Sequence, residues 1–324
     1  GGCVDASSAA CALVERLDAP TVTTINAKGI LGRDHPLDLG ANAALPAVRR
    51  LAAGADVILA VGTELGETDY DVVFDDGFVL TGELIRIDLD ARQLVRNQAL
   101  SLGLIGDARL SLELLLEHFP QALAKGGAER TAQTLAALAL ADDPAFAPFV
   151  PLYDVLRVAL PEAILVGDST TPVYAGNHLV AQSAPRRYFN ASTGYGTLGY
   201  GLPAALGAQL ARSDLPVVAL VGDGGIMFTL SELATAVEER LPVVILLWHN
   251  AGYEEIRRFM DASGVERLGV DIEAPDFAAV AQGFGCEAVS IGSPAGLARA
   301  LASRPLDGPL MIVVDAASWL LEVR

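Results

Sequence analysis

Asp223 and Asn250 each stand directly behind an apolar run, in "VGDGG" and "LLWHN", 27 positions apart. Their side chains offer hard oxygen donors of the kind Mg²⁺ prefers, and a metal so held shares its remaining positions with phosphate oxygens and water. Gly222, Gly224 and Gly225 flank the aspartate, and the sequence reads on into a helix whose start matches a capping box, Thr229-Leu-Ser-Glu232. On that reading the backbone N–H groups of Gly224, Gly225 and Ile226 face outward beside a positive helix end, which suits a phosphate or diphosphate. Gly252, two residues past Asn250, leaves room for its own carbonyl to turn toward the same ion. The chemistry implied is metal-assisted binding of a diphosphate.

For these residues to converge they must sit at the carboxyl ends of neighbouring parallel strands, where ligands collect in open α/β sheets. The second half of the chain supplies such strands at residues 163–168, 216–223, 242–250, 286–291 and 309–315. Helical patterns alternate with them at 153–160, 203–212, 230–240, 276–284 and 295–302. The first half repeats the scheme with strands at 21–24, 57–61 and 84–87 and helices at 44–51 and 110–118. An opening helix follows "GGCVDASS", with Asp5 or Ser7 as N-cap. A glycine turn into a helix normally follows a strand, so a strand upstream of Gly1 is expected. The alternation predicts two tandem Rossmann-like three-layer α/β domains with mainly parallel sheets. Their bounds are read as 1–120 and 151–324, with an Ala-rich linker at 121–150.

The bulk composition excludes several partners. Among 324 residues, 52% are hydrophobic, yet no apolar run approaches the roughly 18 residues of a membrane span. The formal charge is −18, with 40 acidic against 22 basic residues and no basic cluster, which argues against nucleic acid or an anionic membrane surface. Cys3, Cys11 and Cys286 are odd in number and lack CxxC spacing, so they are read as core thiols of a cytoplasmic protein. His35 and His118 read as surface or cap residues, His178 as a surface residue, and His249 as pointing into its domain behind Asn250. The pair Glu238-Glu239 reads as a solvated helix face.

The spacing GDG, then 25 residues, then Asn, with Gly two further on, resembles the cofactor motif of thiamine diphosphate enzymes of the acetolactate synthase, benzoylformate decarboxylase and pyruvate decarboxylase superfamily. The resemblance implies that Asp223, the Asn250 side chain and the Gly252 backbone carbonyl hold Mg²⁺ on the diphosphate. Gly222, Gly224, Gly225 and Tyr253 would line the same cofactor. The family's usual Asn-Asn is His249-Asn250 here. "STGYGTLGYGLPAALGAQLA" (residues 192–211) resembles the stretch preceding GDG in these enzymes. By that likeness Leu198 bends the cofactor, and the Gly196 carbonyl accepts from its 4′-amino group. "VGDSTTPVY" (166–174) resembles the family's first strand and loop, where hydroxyls reach the diphosphate, and Thr170 and Thr171 fill those positions.

The first half resembles the family's central domain through "APTVTTINAKGILGRDHPLDLG" and "ADVILAVGTELGETDYD". Some relatives bind FAD there, but no arginine-rich flavin-contacting segment is present, so FAD is not expected. The family's pyrimidine-binding domain, which carries the activating glutamate, is absent from these residues. A second subunit of a homodimer or homotetramer would supply it, and the chain alone is expected to be inactive. The resemblance implies a 2-oxo acid decarboxylase, and is nearest to the 5-guanidino-2-oxopentanoate (2-ketoarginine) decarboxylases. There Glu255, just past the metal motif, would pair with a cationic substrate tail. The alternatives are an acetolactate synthase-like carboligase and, in a different class, a non-catalytic nucleotide-binding module.

Overall fold

Short runs rich in Val, Ile and Leu form parallel strands in both halves, because such side chains fill a surface covered on both faces. The computed structural model describes residues 1–66, 78–119 and 125–323. The chain divides into a unit of Gly1–Leu140 with Ala181–Arg187 and a unit of Ala141–Val180 with Tyr188–Arg324.

In the first unit, β1 (Val57–Val61), β2 (Glu83–Asp88) and β3 (Leu102–Ile105) pair in parallel in the order β1-β2-β3. Around them lie α1 (Ser7–Leu17), α2 (Pro46–Ala53), α3 (Ala91–Leu94), α4 (Ala108–His118) and α5 (Gly127–Leu138). Ala6, Ala9, Ala10 and Leu13 form one stripe against Leu112 of α4 and Ile30. Neither Asp5 nor Ser7 caps α1, whose N-cap is Ala6 with no side-chain bond. Ser7 Oγ donates to the Ile30 carbonyl instead, and Asp5 pairs with Arg186. The strand expected at 21–24 shrinks to a single bridge between Thr21 and Asp38, because the chain turns into a 3₁₀ helix at Ile25–Ala27. The stretch read as a linker contains α5, tied to this unit by the Gly127 N–H donating to Asp18 Oδ2 at 2.7 Å. The tail of "VGTELGETDYD" and residues 120–124 lie outside the described residues.

Gly2 and Gly62 meet backbone to backbone, with the Gly2 N–H donating to the Gly62 carbonyl at 3.0 Å. A Cβ on Gly2 would lie 2.8 Å from Gly62 Cα, and one on Gly62 would lie 2.7 Å from Gly2 Cα. Only glycine fits at either position.

The second unit holds a six-stranded parallel sheet in the order β5-β4-β6-β7-β9-β8. The strands are β4 (Ile164–Gly167), β5 (Tyr188–Asn190), β6 (Val217–Gly222), β7 (Val244–His249), β8 (Glu287–Ile291) and β9 (Leu310–Asp315). The helices are α6 (Val150–Ala159), α7 (Thr171–Leu179), α8 (Gly201–Ala211), the single turn α9 (Asp223–Ile226), α10 (Glu232–Glu238), α11 (Glu254–Ala262), α12 (Phe277–Gly283), α13 (Pro294–Ala302) and α14 (Ala316–Glu322). Val217, Ala219, Ile245, Leu247 and Met311 pack against Leu202, Leu206 and Leu233 to form the core. Burial on both faces explains why β6 and β7 are unbroken apolar runs rather than alternating ones. Their carboxyl ends lie next to each other and beside that of β4.

Candidate functional site

Asp223 follows β6 and is almost wholly enclosed, its side chain 2% exposed. Its Oδ1 accepts from the Gly224 N–H at 2.7 Å. Oδ2 accepts from the Asn250 N–H at 2.9 Å, the Ala251 N–H at 2.6 Å and His249 Nδ1 at 2.9 Å. Because an ionised carboxylate only accepts, the His249 proton on that bond sits on Nδ1. One carboxylate thereby folds the end of β7 onto the end of β6. The His249 ring also stands edge-on to Phe277, at 5.8 Å between centroids. The Gly224 N–H is thus spent on Asp223 rather than facing outward. The capping box is not formed either: Thr229 Oγ1 donates to the Gly199 carbonyl at 3.0 Å, and α10 begins only at Glu232.

Beyond β7, Asn250 is half-buried and Gly252 buried. Gly252 bridges Asp271 through flanking groups, the Tyr253 N–H donating to Val270 O and the Ile272 N–H to Ala251 O, so its own carbonyl takes no part in the bridge. Arg257 steadies this loop. Its guanidinium donates to Asn250 O at 3.2 Å, Glu254 at 2.6 Å and Asp271 at 2.8 Å. Tyr253 packs over the glycine turn, where a Cβ on Gly224 would lie 2.6 Å from its ring.

The end of β4 forms the opposite wall. Thr170 is buried, and a Cβ on Gly222 would lie 2.9 Å from its Oγ1, so this hydroxyl rests against the turn that carries Asp223. Thr171, half-buried, opens α7. Farther along α7, Asn177 is held in a closed polar network. Its Oδ1 accepts from Tyr188 at 3.1 Å and Asn190 Nδ2 at 2.9 Å, and its Nδ2 donates to Ser192 Oγ at 3.2 Å. That network fixes α7 against the segment leading to Gly196 and Leu198. Gly196 adopts φ +65°, its N–H donating to Ala191 O at 3.1 Å, and Leu198 is half-buried. Tyr174 on α7 has its phenol held above the ordinary range, first by burial and then by the nearby carboxylates of Glu255 and Asp168.

Glu255 lies in the first turn of α11 and pairs with Arg258 Nη1 at 3.1 Å, the two side chains 45% and 60% exposed. It therefore already has a partner, though a solvent-screened one. No residue of α11 is buried, and Ile256 and Phe259 are exposed.

The remaining candidate residues lie elsewhere. Among the described residues, the only cluster of His, Cys, Asp and Glu with metal-ligand spacing is Cys11, Glu15 and His35. There the Leu37 N–H donates to His35 Nδ1 at 3.2 Å, which leaves the imidazole proton on Nε2, directed at Glu15 Oε1 3.6 Å away. Within the cluster Cys11 Sγ also donates to Glu15 Oε1 at 3.8 Å. Of the surface or cap roles expected of it, His35 takes one closer to the cap, mostly buried with its ring accepting a backbone N–H, and Cys11 is half-buried rather than in the core. His178 is also partly buried, tilted against Phe146 at 4.9 Å. Cys3 and Cys286 are core thiols, Cys286 pushed up to about 11 by burial.

Asp168, Tyr174, Asn177 and Arg257 were not picked out from sequence. Asp168 had a legible signal, since Val-Gly-Asp ends both β4 and β6.

A magnesium-bound diphosphate fits this donor set. Asp223, Asn250 and the Gly252 carbonyl are all oxygen donors, and the turn beside them tolerates no side chain at 222 or 224. The profile of the thiamine pyrophosphate enzyme C-terminal TPP binding domain matches residues 168–314, and that of the thiamine pyrophosphate enzyme central domain matches residues 1–115. "Probable 2-ketoarginine decarboxylase AruI" of Pseudomonas aeruginosa is 41% identical over 290 residues, covering 88% of this chain and 51% of that protein. Benzoylformate decarboxylase of the same organism is 33% identical, covering 84% of this chain and 51% of its own length. The acetolactate synthase large subunit of Parasynechococcus marenigrum is 29% identical, covering 94% and 50%. The solved structure of the Rhodococcus jostii RHA1 thiamine diphosphate-dependent 4-hydroxybenzoylformate decarboxylase superposes with a TM-score of 0.78 at 24% identity, over 97% of this chain and 59% of that one. It has the same fold. The chain spans about half the length of the curated relatives it matches.

Proposed function

Because the chain belongs to the thiamine pyrophosphate enzyme family, we propose that it forms the diphosphate and metal wall of a thiamine diphosphate-dependent 2-oxo acid decarboxylase. The observation that carries this reading is the folding of residues 249–251 onto the Asp223 carboxylate, beside Thr170. Asp223, the Asn250 side chain and the Gly252 carbonyl would hold Mg²⁺, and the Thr170 and Thr171 hydroxyls would meet the diphosphate. Leu198 would support the bent cofactor, with the Gly196 carbonyl accepting from its amino group. The bound cofactor would supply a nucleophilic carbon for the 2-oxo group and an electron sink for decarboxylation.

For the substrate we propose 5-guanidino-2-oxopentanoate. The likeness to a 2-ketoarginine decarboxylase supports this, and so does the position of Glu255. Its ion pair with Arg258 is exposed, of a kind worth about 0–1 kcal/mol, so a substrate guanidinium can displace Arg258 and bind bidentately. The test is to supply the full-length protein, with thiamine diphosphate and Mg²⁺, with 5-guanidino-2-oxopentanoate, pyruvate or benzoylformate. Release of CO₂ and an aldehyde, with kcat/KM highest for the guanidino acid, supports the reading. An acetohydroxy acid formed from pyruvate would favour the carboligase instead, and failure to bind the cofactor would leave only the non-catalytic module.

A further inference from the structure

Asp168 stands at the end of β4, next to the strand that ends in Asp223, and is fully buried. Its Oδ1 accepts from the Ser169 N–H at 2.8 Å. Its Oδ2 accepts from the Gly199 N–H at 2.8 Å and the Gly201 N–H at 3.3 Å, donors that follow α7 and β5 in the chain. The slot is walled by glycine: a Cβ on Gly201 would lie 3.1 Å from Asp168 Cβ, and one on Gly225 would lie 3.2 Å from its carboxylate. Burial pushes this carboxyl above the usual range, while the three N–H donors hold it in the opposite direction.

Gly199 is the residue after Leu198, and its peptide groups are held at both ends. Its N–H rests on Asp168, and its carbonyl accepts from Thr229 Oγ1 at 3.0 Å. It adopts φ +84°, a conformation that only glycine takes without strain. A buried carboxylate with no side-chain donor among these bonds is costly unless backbone donors repay its desolvation, and here two of the three, Gly199 and Gly201, come from the stretch just past Leu198. We propose that Asp168 is a positioning residue: it fixes residues 196–201, and so sets where Leu198 and the Gly196 carbonyl meet the cofactor. This rests on the thiamine diphosphate reading above. It assigns Asp168 no metal and no direct contact with substrate.

The test uses the full-length protein with Asp168→Asn, which keeps the side chain's shape but removes its charge and leaves a single oxygen to accept. Thr229→Val is the second variant. It releases the other end of Gly199 and leaves the Asp168 bonds in place, so residues 196–201 are expected to stay protected in it; loss of their protection there would overturn the proposal even where Asp168→Asn does not fold. In the absence of cofactor, amide exchange in residues 196–201 of Asp168→Asn is expected to quicken about 10- to 100-fold, the loss of one charge-assisted hydrogen bond, while residues 249–251 keep their protection. With cofactor bound, kcat is expected to fall about 10-fold or more, while the Kd for Mg²⁺ changes less than about threefold, because the metal donors lie on other residues. Unchanged exchange in 196–201 of Asp168→Asn, or Mg²⁺ affinity falling in step with kcat in that variant, would overturn the proposal. Wild-type protein that binds no thiamine diphosphate would instead remove the underlying reading, a failure visible before any variant is made.

Discussion

His249 Nδ1 lies 2.9 Å from Asp223 Oδ2, so the imidazole that ends β7 is anchored on the carboxylate that follows β6. Where the family motif usually has Asn-Asn, this chain has a ring that can donate to the aspartate and still pack on Phe277. Replacing it by alanine removes a hydrogen bond to a buried charge, at a cost of about 1.5–3 kcal/mol. His249→Asn restores a donor and is expected to recover at least half of that loss. Urea unfolding of both variants in the full-length protein checks this. Equal stability of His249→Ala and wild type would mean that the backbone donors alone hold Asp223.

Asn250→Ala is the cleaner probe of the metal. The contacts of residue 250 with Asp223 and Arg257 run through its backbone N–H and carbonyl and survive the change. Asp223→Ala, by contrast, strands the Asn250 and Ala251 N–H groups and lowers stability as well. Asn250→Ala is expected to abolish Mg²⁺-dependent binding of thiamine diphosphate while leaving the melting temperature nearly unchanged. Calorimetric titration with unaltered cofactor affinity would sink the assignment.

Glu255→Gln is expected to lower kcat/KM for 5-guanidino-2-oxopentanoate by roughly 10- to 150-fold, or about 1.5–3 kcal/mol, with much less change for pyruvate. Arg258→Met should move the other way. It frees Glu255 from its surface pair and is expected to raise affinity for the guanidino acid slightly. Equal losses for charged and uncharged acids in Glu255→Gln would refute the substrate pairing.

Asp315 caps α14 by accepting from the Ser318 N–H at 2.7 Å, and bonds from the Ser318 side chain and backbone hold its carboxyl below the usual range. A depressed folded-state value means that its contribution is present above the unfolded value of about 4 and is lost as pH falls through the folded one. Asp315→Ala is expected to cost about 1 kcal/mol at pH 7 and progressively less below about pH 4. Thermal unfolding at pH 7 and pH 3 measures the difference. A gap that widens on acidification would contradict the cap.

The parallel strands β4, β6, β7 and β9 were legible because burial on both faces leaves unbroken apolar runs. Short elements were not: β5 spans three residues and β3 is an exposed edge, so neither carries a periodic signal. Asp223 and Asn250 were readable as strand-end residues, but what holds them was not. The Thr229 hydroxyl reaches Gly199 rather than its own helix start, because the loop folds back within its range. The Val-Gly-Asp that ends in Asp168 repeats the one that ends in Asp223, but what Asp168 holds was not legible: two of its three donors are backbone groups more than thirty positions away, and backbone donors leave no mark on residue type.

The contact of Gly2 with Gly62 closes two places in the chain to variation. Any Cβ at either position meets main chain, which cannot rotate aside as a side chain can. A smaller side chain elsewhere does not reopen the space, and the two sites are therefore locked independently rather than as an exchangeable pair. A randomised library screened for folding would return glycine at both. Grafting the helix that follows Gly2 onto another scaffold would then require a bare backbone waiting opposite it.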